Sequence, residues 1–300
     1  MKLAFSSNAF GRFGLVDTIA ILATIGYEGI EIMADVPHAY PPTLGRREIE
    51  AIRAALSLHG MAVSNLNAFM LRAIGGIHHP SWIEKDPLLR RRRIEHTHNC
   101  IDLADSLGVG MLSTEPGGPL DGMEPAEGLE LFRQGLAEIE GHAREKQVQI
   151  LIEPEPELLI ETSAQFRVFF SDLDPEVFGL NFDIGHFFCV GEDPAPLIGE
   201  LAPFIRHFHL EDIADSRVHH HLLPGKGALD FECIVDAINC IDYTGFVTVE
   251  LYPYEDRPID AAQEAFAYLQ AFFPRAQALP WEVTLPASGA SAVSAASAKP

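Results

Sequence analysis

Short apolar runs rich in β-branched and aromatic residues alternate eight times with longer stretches of helical period, and this alternation narrows the fold more than any other feature. The runs are KLAFSS, GIEIM, MAVSNLN, GMLSTE, VQILIEPE, FGLNFDIGH, FIRHFHLED and FVTVELY. Helical patterns occupy residues 16–25, 47–59, 87–107, 126–146, 163–170, 195–201, 231–241 and 260–273. A helix between two strands brings the chain back to the same end of the sheet, so the strands run parallel and are buried on both faces. Eight such units match the size and order of a closed (β/α)8 TIM barrel, here a single catalytic domain over residues 1–276. An open, doubly wound sheet is the alternative. It calls for a glycine-rich phosphate loop after the first strand, and SSNAFGRFG fits neither the dinucleotide nor the P-loop pattern. After Trp281 the chain offers no apolar period, and residues 277–300 are expected to form a disordered tail. TIGYEGIEI and CIDYTGFVTVEL echo each other, each with a glycine turning a helix into its strand, a C-cap chemistry that suits repeated αβ units.

In a parallel barrel the C-terminal strand ends share one face, and that face carries the chemistry. Glu153 ends the fifth strand, Asp183 the sixth, His209 the seventh and Glu250 the eighth. A charged group closing an apolar buried strand costs several kcal/mol unless it is paired or bound to an ion. Three carboxylates and an imidazole converging on one point would repel one another without a divalent cation. The oxygen-rich set suits Mn2+, Mg2+ or Co2+ better than a structural zinc. Four unrelated salt-bridge partners are the competing interpretation. His186, three residues after Asp183, is a candidate substrate contact, as are Arg217 in the strand-seven loop, Glu155, Glu115 at the end of strand four and Asn67 after strand three. His219 and His221, two apart, suit a second metal or a substrate contact, or are simply solvated. His96, His98 and His142 fall on outer helices and receive no role, while His207 lies one layer below His209 as an oriented core histidine. The long segment LRAIGGIHHPSWIEKD, with Phe69, His78, His79 and Trp82, has the length of an active-site cover. The run Arg90 to Arg93 is expected to be a helix face available to another subunit, which leaves a homo-oligomer open.

Composition narrows the partners. With 21 basic and 43 acidic side chains the formal charge is −22, which disfavours nucleic acid and anionic membrane surfaces. No stretch has 18 uninterrupted apolar residues, and the segment from Phe13 to Tyr27 carries Asp17 and lacks a cleavage signal, so a cytoplasmic chain is expected. Cys100, Cys189, Cys233 and Cys240 are scattered without a C-x-x-C pair, as reduced thiols would be.

IEPEP, NFDIGH, HFHLEDIADSRVHHHLLPGKGALDF and GFVTVELY resemble the xylose-isomerase-like barrels, the sugar phosphate isomerase/epimerase superfamily, with the resemblance covering roughly residues 1–273. Ketose 3-epimerases and inosose dehydratases look most similar. The resemblance implies one divalent ion, Mn2+ first with Mg2+, Co2+ or Zn2+ as alternatives, held by Glu153, Asp183, His209 and Glu250. It also implies that the two glutamates flank the reacting carbon and that His186 touches substrate. The implied activity is a sugar or cyclitol isomerase or epimerase that removes a proton beside a carbonyl through an enediolate, or a related dehydratase of a keto-sugar or inosose. The same superfamily contains three-zinc apurinic endonucleases. Asn67 and Glu115 stand here in place of histidines those enzymes use, which argues against a multi-metal phosphodiesterase. A non-catalytic sugar-binding barrel is the third class.

Overall fold

The computed structural model describes residues 1–273; the tail expected over residues 277–300 lies outside them. Eight strands, β1 (Lys2–Ser6), β2 (Gly29–Met33), β3 (Ala62–Asn67), β4 (Met111–Thr114), β5 (Gln149–Ile152), β6 (Phe178–Asp183), β7 (Ile205–Leu210) and β8 (Phe246–Val249), pair in parallel in chain order. β8 closes onto β1, with Leu3 opposite Val247. The fold is therefore a (β/α)8 TIM barrel in a single domain, and the open sheet is excluded.

Nine α-helices surround the barrel among the described residues: α1 (Leu15–Ile25), α2 (Arg46–His59), α3 (Pro87–Leu107), α4 (Pro125–Lys146), α5 (Ser163–Phe170), α6 (Ile184–Cys189), α7 (Pro194–Leu201), α8 (Phe231–Cys240) and α9 (Pro258–Leu269). Their boundaries follow local chemistry. α3, α4, α7 and α9 begin at a proline, whose missing N–H would be unpaired in a first turn anyway. Thr162 and Gln165 form a reciprocal capping box at α5. α6 escapes the periodicity argument because six residues are too few to show it. It starts directly from β6, capped by Asp183, whose Oδ1 accepts the His186 N–H at 2.8 Å.

The apolar core lies between sheet and helices; Phe132 on α4, for example, is fully buried between Trp82 and Phe169. The inside of the barrel is polar near its C-terminal rim. Ser6, Glu31, Asn65, Asn181, His207 and Thr248 are all fully or almost fully buried there. Register shifts fall between Ile30 and Glu31 in β2 and between Leu180 and Asn181 in β6, where an irregularity re-aims a side chain.

Arg93 corrects the expectation that the run Arg90 to Arg93 forms a helix face available to another subunit. Its side chain is wholly buried, donates to the carbonyls of Ala68 and Pro80 at 2.8 and 2.9 Å, and lies 3.2 Å from the Glu115 carboxylate. One carbonyl opens the long β3–α3 segment and the other lies within it, so this guanidinium ties two points of that segment together. His96, expected to face outward, is likewise buried, with Tyr40 stacked beside it. Among the described residues no helix is long and apolar enough to cross a membrane.

Candidate metal centre and active site

Glu153, Asp183, His209 and Glu250, all buried, each place a ligand atom within 4.8 Å of those of the other three. They reach one point because β5, β6, β7 and β8 end at the same level. Asp183 pairs in register with His209, and the Glu250 N–H donates to the Leu210 carbonyl. His209 Nδ1 lies 2.8 Å from Glu153 Oε1 and 3.8 Å from both Asp183 Oδ2 and Glu250 Oε2.

Neighbouring amides fix the carboxylates. Asn181 donates to Glu153 Oε2 at 2.8 Å, and Asn8 donates to Glu250 Oε1 at 2.9 Å. Each glutamate thus keeps one oxygen tied to an asparagine and turns the other toward His209. Asn181 is itself oriented by a chain: Ser64 lies 3.0 Å from the Thr248 hydroxyl, which lies 2.8 Å from His207 Nε2, and His207 Nδ1 lies 2.8 Å from Asn181 Oδ1. Burial lowers His207 to about 3, leaving a neutral ring that donates on one side and accepts on the other.

The electrostatics are those of carboxylates crowded around one imidazole. Burial, with the charges of Asp183 and Glu31 adding to it, raises Glu153 against the pull of His209. Burial also raises Glu250, Glu155 and Glu211 well above the ordinary carboxylate range, and nearby carboxylates push in the same direction. Burial opposes protonation of His209, but Glu153, Glu31 and Glu250 outweigh it and hold the imidazole well above its usual value. Asp183 Oδ2 is buried without a hydrogen-bond donor, although it faces His209 Nδ1 and lies 3.6 Å from His186 Nε2. One oxygen-rich cluster with an orphaned carboxylate oxygen fits a divalent ion.

A cavity of about 140 Å³ opens beside this cluster, lined by Glu153, Glu155, Glu250, His186, His219 and Asn67 on its polar side and by Phe69, Met70, Ile77 and Tyr252 on its apolar side, with His78. His186 Nδ1 donates to the Pro154 carbonyl at 3.0 Å, and burial drives its pKa well down. His219 lies 4.0 Å from Glu155, and its Nε2 is 3.3 Å from that of His221, whose Nδ1 donates to the Glu250 carbonyl. Burial lowers His221 to about 3.

Other expected residues are placed elsewhere. Glu115 is paired with Arg93 behind the chamber wall, and burial raises it to about 7 against the pull of that arginine. Arg217 lays its guanidinium over the Phe188 ring, 4.1 Å from the centroid, and donates to the Phe188 carbonyl, so it lines a separate surface cavity. Trp82 is fully buried beneath the long segment, its N–H on the Thr114 hydroxyl, and His79 turns to Glu84. Phe69 and His78 do reach the chamber.

Four residues that strand-end reasoning passed over belong to the site: Glu31, Asn8, Asn181 and Glu211. Both oxygens of the fully buried Glu211 lack a donor, and its carboxylate groups with Asp183 and His221. Asp212 organises the strand-seven loop. Its Oδ1 accepts the N–H groups of Ile213 and Leu229, and its Oδ2 those of Gly225 and Gly227, at 2.7–3.1 Å. A Cβ on Gly227 would meet the Ile213 carbonyl at 2.2 Å, which explains glycine in the PGKG turn.

Comparison with known proteins bears on the fold and the family. An inosose dehydratase of Lacticaseibacillus casei is 30% identical over 160 residues, 47% of this chain and 54% of that protein, so the match spans about half of the relative's length. A fructoselysine 3-epimerase of Shigella flexneri is 24% identical over 285 residues, 91% of this chain and 99% of that protein. Among solved structures, a D-tagatose 3-epimerase-like protein superposes with a TM-score of 0.77 at 20% identity, covering 91% of this chain and 97% of its own. An IOLI protein carrying a zinc atom superposes at 0.75 and 20% identity, covering 91% and 98%. The family model of the xylose isomerase-like TIM barrel matches residues 19–272, and with that span the chain belongs to this family.

Proposed function

We propose that this chain is a divalent-metal-dependent isomerase or epimerase of a sugar or cyclitol, acting by proton transfer beside a carbonyl. The observation that carries the reading is the Glu153, Asp183, His209 and Glu250 cluster, which faces a small chamber of mixed polar and apolar lining through Glu153 and Glu250. These four residues would hold the ion, with Mn2+ the first expectation. When bound, the ion would supply Lewis acidity that makes the C–H beside a substrate carbonyl more acidic. Glu153 and Glu250, three strands apart around the barrel, present carboxylates to the substrate from two sides. One removes the proton, and the other returns a proton to the opposite face to give the epimer. Loss of a β-hydroxyl in place of reprotonation gives a dehydratase, the activity for which the Lacticaseibacillus casei relative is named. His186 and Asn67 are set to orient substrate hydroxyls, and Glu155, whose carboxyl is raised well above its ordinary range by burial among carboxylates, lines the chamber as a further contact for a substrate oxygen. Among the described residues no lysine or arginine lines the chamber, which favours an unphosphorylated substrate.

A second ion is the other reading, favoured by the donorless Glu211 and by the contact of His219 with His221. Elemental analysis separates the two: one tightly held ion supports the first, and two or more, with zinc, support hydrolytic chemistry. Asp183→Asn and His209→Ala should each lose most of the bound metal, and full occupancy in both removes the assignment. Turnover of a ketose and inosose panel in D2O should place deuterium on the carbon beside the carbonyl. A substrate deuterated at that carbon that passes its label to the neighbouring carbon would establish a hydride shift and sink the scheme. Binding without turnover or exchange would favour the non-catalytic barrel.

A further inference from the structure

Glu31, on β2, lies on the far side of His209 from the metal cluster. Its Oε2 is 2.6 Å from His209 Nε2, and the residue is fully buried. Three other side chains donate to it: Ser6 to Oε1 at 2.8 Å, Asn67 to Oε1 at 3.2 Å and Asn65 to Oε2 at 2.8 Å. Each carboxylate oxygen therefore receives two donors once His209 Nε2 carries its proton. Glu31, His207 and His209 are close enough to hold a cation of their own. Every nitrogen and oxygen in that trio already has a partner, because His207 is committed to Asn181 and Thr248. The trio is a saturated hydrogen-bond network.

We infer that Glu31 is a positioning residue for the metal centre: it fixes His209 as the Nε2–H tautomer and aims Nδ1 as the metal-bearing nitrogen among Glu153, Asp183 and Glu250. The inference rests on the metal-centre reading above. It uses the general carboxylate–histidine–metal arrangement, in which an outer carboxylate sets the tautomer and raises the basicity of the ligand. The geometry is one-sided. Glu153, Asp183 and Glu250 all approach Nδ1, and among the described residues only Glu31 approaches Nε2 with a carboxylate. The register shift after Ile30 falls at the residue that must turn into the barrel to make this contact. Asn67 lines the chamber and also donates to Glu31, so substrate contact and ligand orientation share one amide.

The test is metal affinity, read without turnover. Co2+ binding is followed by calorimetry and visible absorption for the full chain, Glu31→Gln and Ile32→Val, the last a control that loosens β2 without touching the network. Glu31→Gln should bind Co2+ about 10- to 100-fold more weakly, with an altered cobalt spectrum. Ile32→Val should bind as the unaltered chain does. In the zinc-loaded, 15N-histidine-labelled protein, His209 should carry metal on Nδ1 and a slowly exchanging proton on Nε2. Should Glu31→Gln fail to fold, Ser6→Ala removes one donor from Glu31 while leaving Glu31 and His209 in place, and it should weaken Co2+ severalfold. Affinity within twofold of the unaltered chain in a folded Glu31→Gln or, in its stead, Ser6→Ala overturns the inference, as does metal on Nε2. An unaltered chain that binds no Co2+ overturns the metal-centre reading and this inference together, whereas tight binding insensitive to Glu31 overturns this inference alone.

Discussion

Asp212→Asn is the perturbation whose cost the structure specifies most directly. The carboxylate is fully buried and accepts four backbone N–H groups, two on each oxygen, from Ile213, Leu229, Gly225 and Gly227. An asparagine keeps one acceptor oxygen and sets an NH2 against the other pair of N–H groups. Hydrogen bonds to a charged acceptor contribute about 1.5–3 kcal/mol each, so losing two costs about 3–6 kcal/mol. That is a large share of the 5–15 kcal/mol typical of a domain, and the loop has a cheaper escape, which is to open locally around residues 213–229. The expected outcome is an unfolding free energy, from denaturant titration, lowered by no more than this amount, with amide exchange at Gly225 and Gly227 accelerated strongly. Because the same loop carries His219 and His221, substrate affinity should fall while metal content is retained. Unchanged exchange at both glycines together with a stability loss below about 0.5 kcal/mol would refute the claim that Asp212 holds the loop.

Arg93→Met leaves Glu115 buried without its partner and frees two carbonyls, so it should destabilise by about 3–5 kcal/mol, and adding Glu115→Leu should restore much of that; urea titration of the single and double variants decides it. His96 is lowered to about 3 by burial, with Arg93 adding to the effect, so below its usual 6.5 the unfolded chain binds a proton that the folded chain refuses. Its contribution is intact above pH 6.5 and falls by about 2 kcal/mol at pH 5; His96→Phe should flatten the stability curve between those values by that amount, and an unchanged slope in denaturant titrations at the two pH values counts against the assignment. Glu153→Gln and Glu250→Gln should each cut turnover about 10²- to 10⁴-fold, and near-normal rates in both variants with metal retained would remove the two-glutamate scheme.

The barrel and the convergence of Glu153, Asp183, His209 and Glu250 were legible in the chain for the same reason: each contradicts its surroundings in a way that short-range patterning exposes. Eight apolar runs between amphipathic stretches leave little but a closed parallel sheet, and a charged residue at the end of such a run has no cheap place to go. Glu31 is as costly as Glu153, but it stands inside GIEIM with Met33 beyond it, so attention to strand ends passes over it; its partner Asn65 lies one strand away and its partner His209 lies 178 residues further on. Asn8 and Asn181 carry no charge to betray them, and their importance exists only once Glu250 and Glu153 are in reach. Arg93 is different, because the information was present. Four consecutive arginines on α3, at about 100° per residue, wrap nearly the whole circumference of the helix, so a helix packed on a barrel cannot expose all of them. One must turn inward and find a carboxylate there. Glu115, the carboxylate that ends the neighbouring β4 and stays out of the chamber, is the group that meets it, and the pair's contact with Ala68 and Pro80 ties the segment that brings Phe69 and His78 to the chamber to the helix behind it.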